Sequence, residues 1–192
     1  MSNKEKDFEQ LHSDWRNISI NQLSFTNNLI LTFSSGFFIY IFSDKKIPDF
    51  HINTNENFVY TKFAFAFCII FLLLSIIYGI AILFTRLYDF RITRNILFAR
   101  SRTNNQLEYI DFSEFTFNER VSALWKILFK KLPFLTREDA KKSINDKEFI
   151  KKFEELLKLS KILGTSSWLW TKFQILHLSL SFILYLIFLF LN

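Results

Sequence analysis

Two sets of polar side chains recur at helical spacing inside otherwise oily stretches. Gln174, His177 and Ser181 stand at i, i+3 and i+7, and Asn28, Thr32 and Ser35 at i, i+4 and i+7. Each set therefore lies along one face of a helix. In hydrocarbon such groups are costly unless they meet a partner or water. Two kinds of chemistry meet that need: hydrogen bonds across packed helices, worth about 1 kcal/mol each, or the walls of a hydrated path in an oligomer. Packing is the plainer account, and a lone His177 makes a weak case for a pH-sensing group. A third set, Ala64, Cys68, Ser75 and Gly79, is a stripe of small residues that allows helices to approach closely.

The remaining chemical feature is cationic. Residues 83–102, LFTRLYDFRITRNILFARSR, carry Arg86, Arg91, Arg94, Arg100 and Arg102 against a single acid, Asp89, and follow an uncharged run. Topology and contact with anionic headgroups account for arginines at such a position. The same guanidinium groups could clamp a phosphate-bearing ligand, a nucleotide or RNA, in bidentate fashion. They could also dock an acidic partner protein. The lipid account takes precedence, and the ligand account requires the cluster to face a pocket.

Enzyme chemistry finds little support. Three glycines leave no phosphate-binding loop or dinucleotide fingerprint, and His12, His51 and His177 fall in three different regions. A single cysteine excludes an intrachain disulfide and the CxxC metal spacing. No catalytic centre, cofactor or metal is expected.

The elements that hold these residues follow from composition. Half of the 192 residues are apolar, with 26 Phe against 3 Gly and 2 Pro, which points to long helices in an apolar solvent. About 20 apolar residues cross a bilayer. Residues 63–84 and 173–191 meet that length, flanked by Tyr60 and Lys62, Arg86 and Tyr88, and Trp168, Trp170 and Lys172 as interfacial anchors. Residues 23–42 form a more polar third candidate.

The net charge of +6 is concentrated between spans: residues 85–167 hold seventeen Lys/Arg against eleven acids. By the positive-inside rule this block faces the cytoplasm. The expectation is an all-α membrane protein of three transmembrane helices, with a cytoplasmic helical domain between the second and third. Its segments are an amphipathic stretch at 1–22, spans at 23–43 and 60–85, an external loop at 44–59, the basic domain at 86–167 and a last span at 168–191. The N-terminus is then cytoplasmic and retained, and the C-terminus external.

Local signals refine the reading. Phe8, Leu11, Trp15 and Ile18 predict an N-terminal amphipathic helix. The absence of Gly and Pro between Leu83 and Arg102 predicts that the second helix runs on beyond the membrane, with Asp89 able to pair with Arg86. Asn104 and Asn105 mark a turn, and 106–117 reads as irregular. Residues 118–132 predict an amphipathic helix stopped by Pro133, with Trp125 turned into the bundle. Thr136 with Asp139 opens a short helix to about Ser143, and a longer one runs from Asp146 to Leu163, ended by Gly164.

The stretches DWRNISINQLSFTNNLILTFSSG (14–36), RLYDFRITRNILFAR (86–100) and LGTSSWLWTKFQ (163–174) resemble those of a scattered group of small bacterial membrane proteins. The layout of residues 20–165 also resembles the SLATT-type effectors of bacterial anti-phage and conflict systems, although those have two membrane helices. The resemblance implies a bacterial inner-membrane location and permeabilisation of the membrane. The expected function is thus an oligomeric membrane effector or pore gated by its cytoplasmic helices. Its polar spans would act with Arg86, Arg91 and Arg94 as coupling elements. The alternative is a membrane anchor or scaffold that recruits a soluble protein or nucleotide-type ligand.

Overall fold

The computed structural model describes residues 3–43, 60–102, 114–136, 139 and 146–191. Among them the regular secondary structure is helical: α1 (Asn3–Ser43), α2 (Tyr60–Arg102), α3 (Phe117–Phe129) and α4 (Lys147–Leu191). Three of these, α1, α2 and α4, are long and apolar enough to cross a membrane. The chain divides into two compact units, one of Met1–Ile80 with Thr171–Asn192 and one of Ala81–Trp170.

The first unit has an inverted polarity. Its interior includes Asn27, Ser34, Ser75, Gln174 and Ser181, each 0% exposed, while Phe25, Leu29, Phe67, Ile77, Leu176 and Phe190 face outward. An outward surface of this kind is at home in hydrocarbon, where only inward polar groups find partners. An apolar cluster of Ile41, Ala64, Phe65, Cys68, Leu72, Tyr185 and Phe188 completes the interior. The inward residues follow a heptad rhythm: Leu23, Asn27, Ile30, Ser34 and Ile41 on α1, Phe65, Cys68, Leu72, Ser75 and Gly79 on α2. Alternating steps of three and four keep one narrow seam facing the neighbouring helices.

The second unit packs like a soluble bundle. Ile92, Ile96 and Ala99 of α2, Ala123 and Ile127 of α3, and Phe149, Phe153, Leu156 and Leu163 of α4 share one apolar core with Leu132 and Leu135. Helix α3 begins with a full capping box. Thr116 Oγ1 accepts from the Glu119 amide, and the Glu119 carboxylate accepts from the Thr116 amide, satisfying donors that a helix start leaves orphaned.

Four local expectations need correction. The N-terminal segment and first span are one helix, α1, without a break at residue 22. Gly164 does not end a helix, since α4 runs through it. A helical Gly costs only about 1 kcal/mol relative to Ala, and the side chains of Thr165, Ser166 and Ser167 bond back to carbonyls of the same helix. Helix α3 stops at Phe129, short of Leu132. Trp125 is 59% exposed, because Ala123 and Ile127 are the residues of α3 that enter the core. The loop at 44–59, the Asn104–Asn105 turn and most of the short helix after Thr136 lie outside the described residues. The Thr136–Asp139 pair itself forms, with the Thr136 amide donating to the Asp139 carboxylate at 2.9 Å.

Candidate functional site

The first cluster is the polar seam between the spans. Ser75 is its hub: its Oγ donates to the Gln174 carbonyl at 3.1 Å and lies 3.3 Å from Ser34 Oγ. Ser181 donates to the Cys68 carbonyl at 2.9 Å, with the two side chains also in contact at 3.4 Å. Asn27 makes a long contact from Nδ2 to the Gly79 carbonyl at 3.4 Å. The side-chain amide of Gln174 and Oδ1 of Asn27 are buried without a hydrogen-bond partner. Gly79 permits this approach, since a β-carbon there would stand 2.6 Å from Gln174 Nε2.

The structure brings together only part of what the spacing grouped. Gln174 and Ser181 are in the seam with Ala64, Cys68, Ser75 and Gly79, all buried. His177 is half-buried beside the rings of Phe71 and Tyr78, its Nδ1 2.6 Å from the Phe173 carbonyl. Asn28 and Thr32 are exposed and Ser35 is half-buried, so α1 does not present this set to α2 and α4. Asn27 and Ser34 take the inward positions instead. Asn27 meets the Gly79 carbonyl and Ser34 meets Ser75.

The second cluster is the arginine segment of α2, whose members diverge. Arg86 is half-buried, within electrostatic reach of Asp89. Asp89 itself accepts from Ser160 of α4 at 2.6 Å and from Thr93 at 3.4 Å. Arg100 is half-buried with its guanidinium over Phe153. The side chain of Arg102 lies outside the described residues. Arg91 and Arg94 are exposed and border a cleft of about 320 Å³ with Asn95, Phe98 and Phe134.

The cleft is built by one side chain acting as a backbone mimic. Asn95 donates to the Leu135 carbonyl at 3.0 Å and accepts from the Leu135 amide at 2.9 Å. That two-way bond fixes residues 134–135 against α2, and Arg91 then lies over the Phe134 and Tyr88 rings at 5.6 and 5.5 Å. Stacking covers the face of a guanidinium and leaves its in-plane donors available.

Elsewhere in the unit, Lys126 pairs with Glu155 and Lys158 with Glu119 at 3.4 Å, while Arg120 donates to Thr165 at 2.9 Å. Trp125 and Phe129 form an outward-facing aromatic pair with centroids 4.2 Å apart. Among the described residues no group of three His, Cys, Asp or Glu side chains could hold a metal ion. No protein-family model, curated protein or solved structure matches the chain.

Proposed function

We propose that the protein is a membrane anchor whose helical domain, on the cytoplasmic side, recruits an anionic soluble ligand or partner. The observation that carries this reading is the complete burial of Gln174 and Ser181, both 0% exposed, in contacts within one chain. Ser181 is committed to Cys68 and the Gln174 side chain is enclosed against Gly79, so both are poor candidates for the wall of an aqueous path. The uncommitted recognition chemistry is at Arg91 and Arg94 instead. The arginines that follow the second span favour a cytoplasmic position for this domain. No catalysis enters this reading.

The oligomeric effector or pore is the second reading, favoured by exposed Asn28 and Thr32 in a helix apolar enough to span. Polar groups on that surface would be served by a second copy of the chain. Liposome reconstitution separates the two. The anchor reading expects ion flux no greater than in protein-free liposomes. Flux that Asn28→Leu with Thr32→Val abolishes would replace the anchor with an oligomeric pore.

A further inference from the structure

We propose that the Arg91–Arg94 cleft binds a phosphate ester, the two guanidinium groups holding the phosphate and the Phe98 and Phe134 rings supporting the apolar or planar group it carries. This deepens the recruitment reading above and rests on it.

Three observations converge on that chemistry. First, Arg91 and Arg94 are three residues apart on one helix and thus neighbours on its surface, and both border the same cleft. No salt bridge to an acid engages either one among the described residues.

Second, Arg91 is oriented before any ligand arrives. Its guanidinium carbon lies over the Tyr88 and Phe134 rings, which reduces the side-chain entropy lost on binding. Phosphate is the anion that such forks match in bidentate geometry.

Third, the cleft is larger and more apolar than a bare anion needs. Its volume of about 320 Å³ lies at the lower end of the range for small-molecule sites. Phe98 and Phe134 provide the aromatic surface on which a ring or acyl group gains contact. Asn95 is spent on Leu135, which makes it a positioning residue for the Phe134 wall.

Such an ester could be a soluble mononucleotide or a phospholipid headgroup, and the test separates them. The full chain in nanodiscs of zwitterionic lipid is titrated with adenosine monophosphate at about 0.15 M ionic strength, where the Debye length is about 8 Å. A second set of discs contains phosphatidic acid, read through intrinsic fluorescence. Binding of the nucleotide is expected to weaken roughly ten- to hundredfold in Arg91→Gln with Arg94→Gln, the loss of charge-assisted bonds. Lys130→Gln with Lys131→Gln removes the same charge elsewhere and should stay within about twofold, since salt screens distant charges. Asn95→Ala should weaken nucleotide more than inorganic phosphate, a split that general destabilisation would not give.

If only the phosphatidic acid discs respond, with the same dependence on Arg91 and Arg94, the ester is a lipid headgroup. Equal loss in the two double variants would overturn the proposal, and so would the failure of both probes to bind. Neither result would alter the flux of the liposome experiment, so this site can fail while the anchor stands.

Discussion

Gly79 faces Gln174 so closely that a β-carbon on Gly79 would stand 2.6 Å from Nε2 and 2.9 Å from Leu31 Cδ1. Gly79→Ala must therefore move the ends of those two side chains, at a net cost of about 1 kcal/mol after the helix gain from removing a glycine is set against it. Gly36→Ala, where nothing lies within 4 Å, should instead be neutral or stabilising by roughly 0.5–1 kcal/mol. Unfolding of both variants in mixed detergent micelles checks the contrast, and equal effects would remove Gly79 from any special role.

Gln174 carries a buried amide with both polar atoms unpartnered. Gln174→Met keeps the length of the side chain and removes those atoms, so stability should rise by about 1–3 kcal/mol. Ser75→Ala, which loses a donor to the Gln174 carbonyl, should cost about 1 kcal/mol. The same detergent unfolding assay reads both signs.

Helix α3 should loosen in acid. The Thr116 amide and hydroxyl, with a smaller contribution from Lys158, hold the Glu119 carboxyl below its ordinary value. A folded-state pKa that is depressed stabilises the helix above the unfolded value, about 4.3, and that stabilisation is lost as pH falls through the folded value. Hydrogen exchange of the α3 amides should speed up in acid for the native chain. Glu119→Gln should flatten the pH dependence, and Thr116→Ala should cost about 1 kcal/mol at neutral pH.

Trp125 and Ile127 sit two positions apart and should behave oppositely. Ile127, 2% exposed, is in the core, and Ile127→Ala should cost about 2–5 kcal/mol. Trp125→Ala, at an exposed position, should change stability by no more than about 0.5 kcal/mol. Chemical denaturation followed by circular dichroism measures both. A large loss in Trp125→Ala would mean that the aromatic pair with Phe129 is covered in the membrane-bound protein.

The three long apolar helices and the unbroken run of α2 to Arg102 were legible in the sequence because both depend on composition and on the absence of helix breakers. The inward face of α1 was not. The doublets Asn27–Asn28 and Ser34–Ser35 give two polar faces about 100° apart, and polarity alone does not rank them. Only packing against Gly79 and Ser75 does. Trp125 misled for a related reason: bulk and aromaticity favour burial in general, yet α3 approaches its neighbours through Ala123, where a small side chain allows contact. The Thr116–Glu119 box has a plain sequence signature, TFNE, and could have set the start of α3. The Arg91–Arg94 cleft depends on a bond between Asn95 and Leu135, 40 residues apart, which no local pattern announces.

The ties of Ser75 have a consequence for biosynthesis. Its hydrogen-bond acceptor on α4 lies 99 residues further along the chain, and ribosomes deliver the N-terminal segments first. Between the emergence of α2 and that of α4, Ser75 lacks its acceptor and Cys68 lacks the hydroxyl of Ser181. A chain stalled in the helical domain would enter the bilayer with that half-finished seam turned toward lipid. The exposed hydroxyl and amide groups would mark it for the chaperones and proteases that survey nascent membrane proteins.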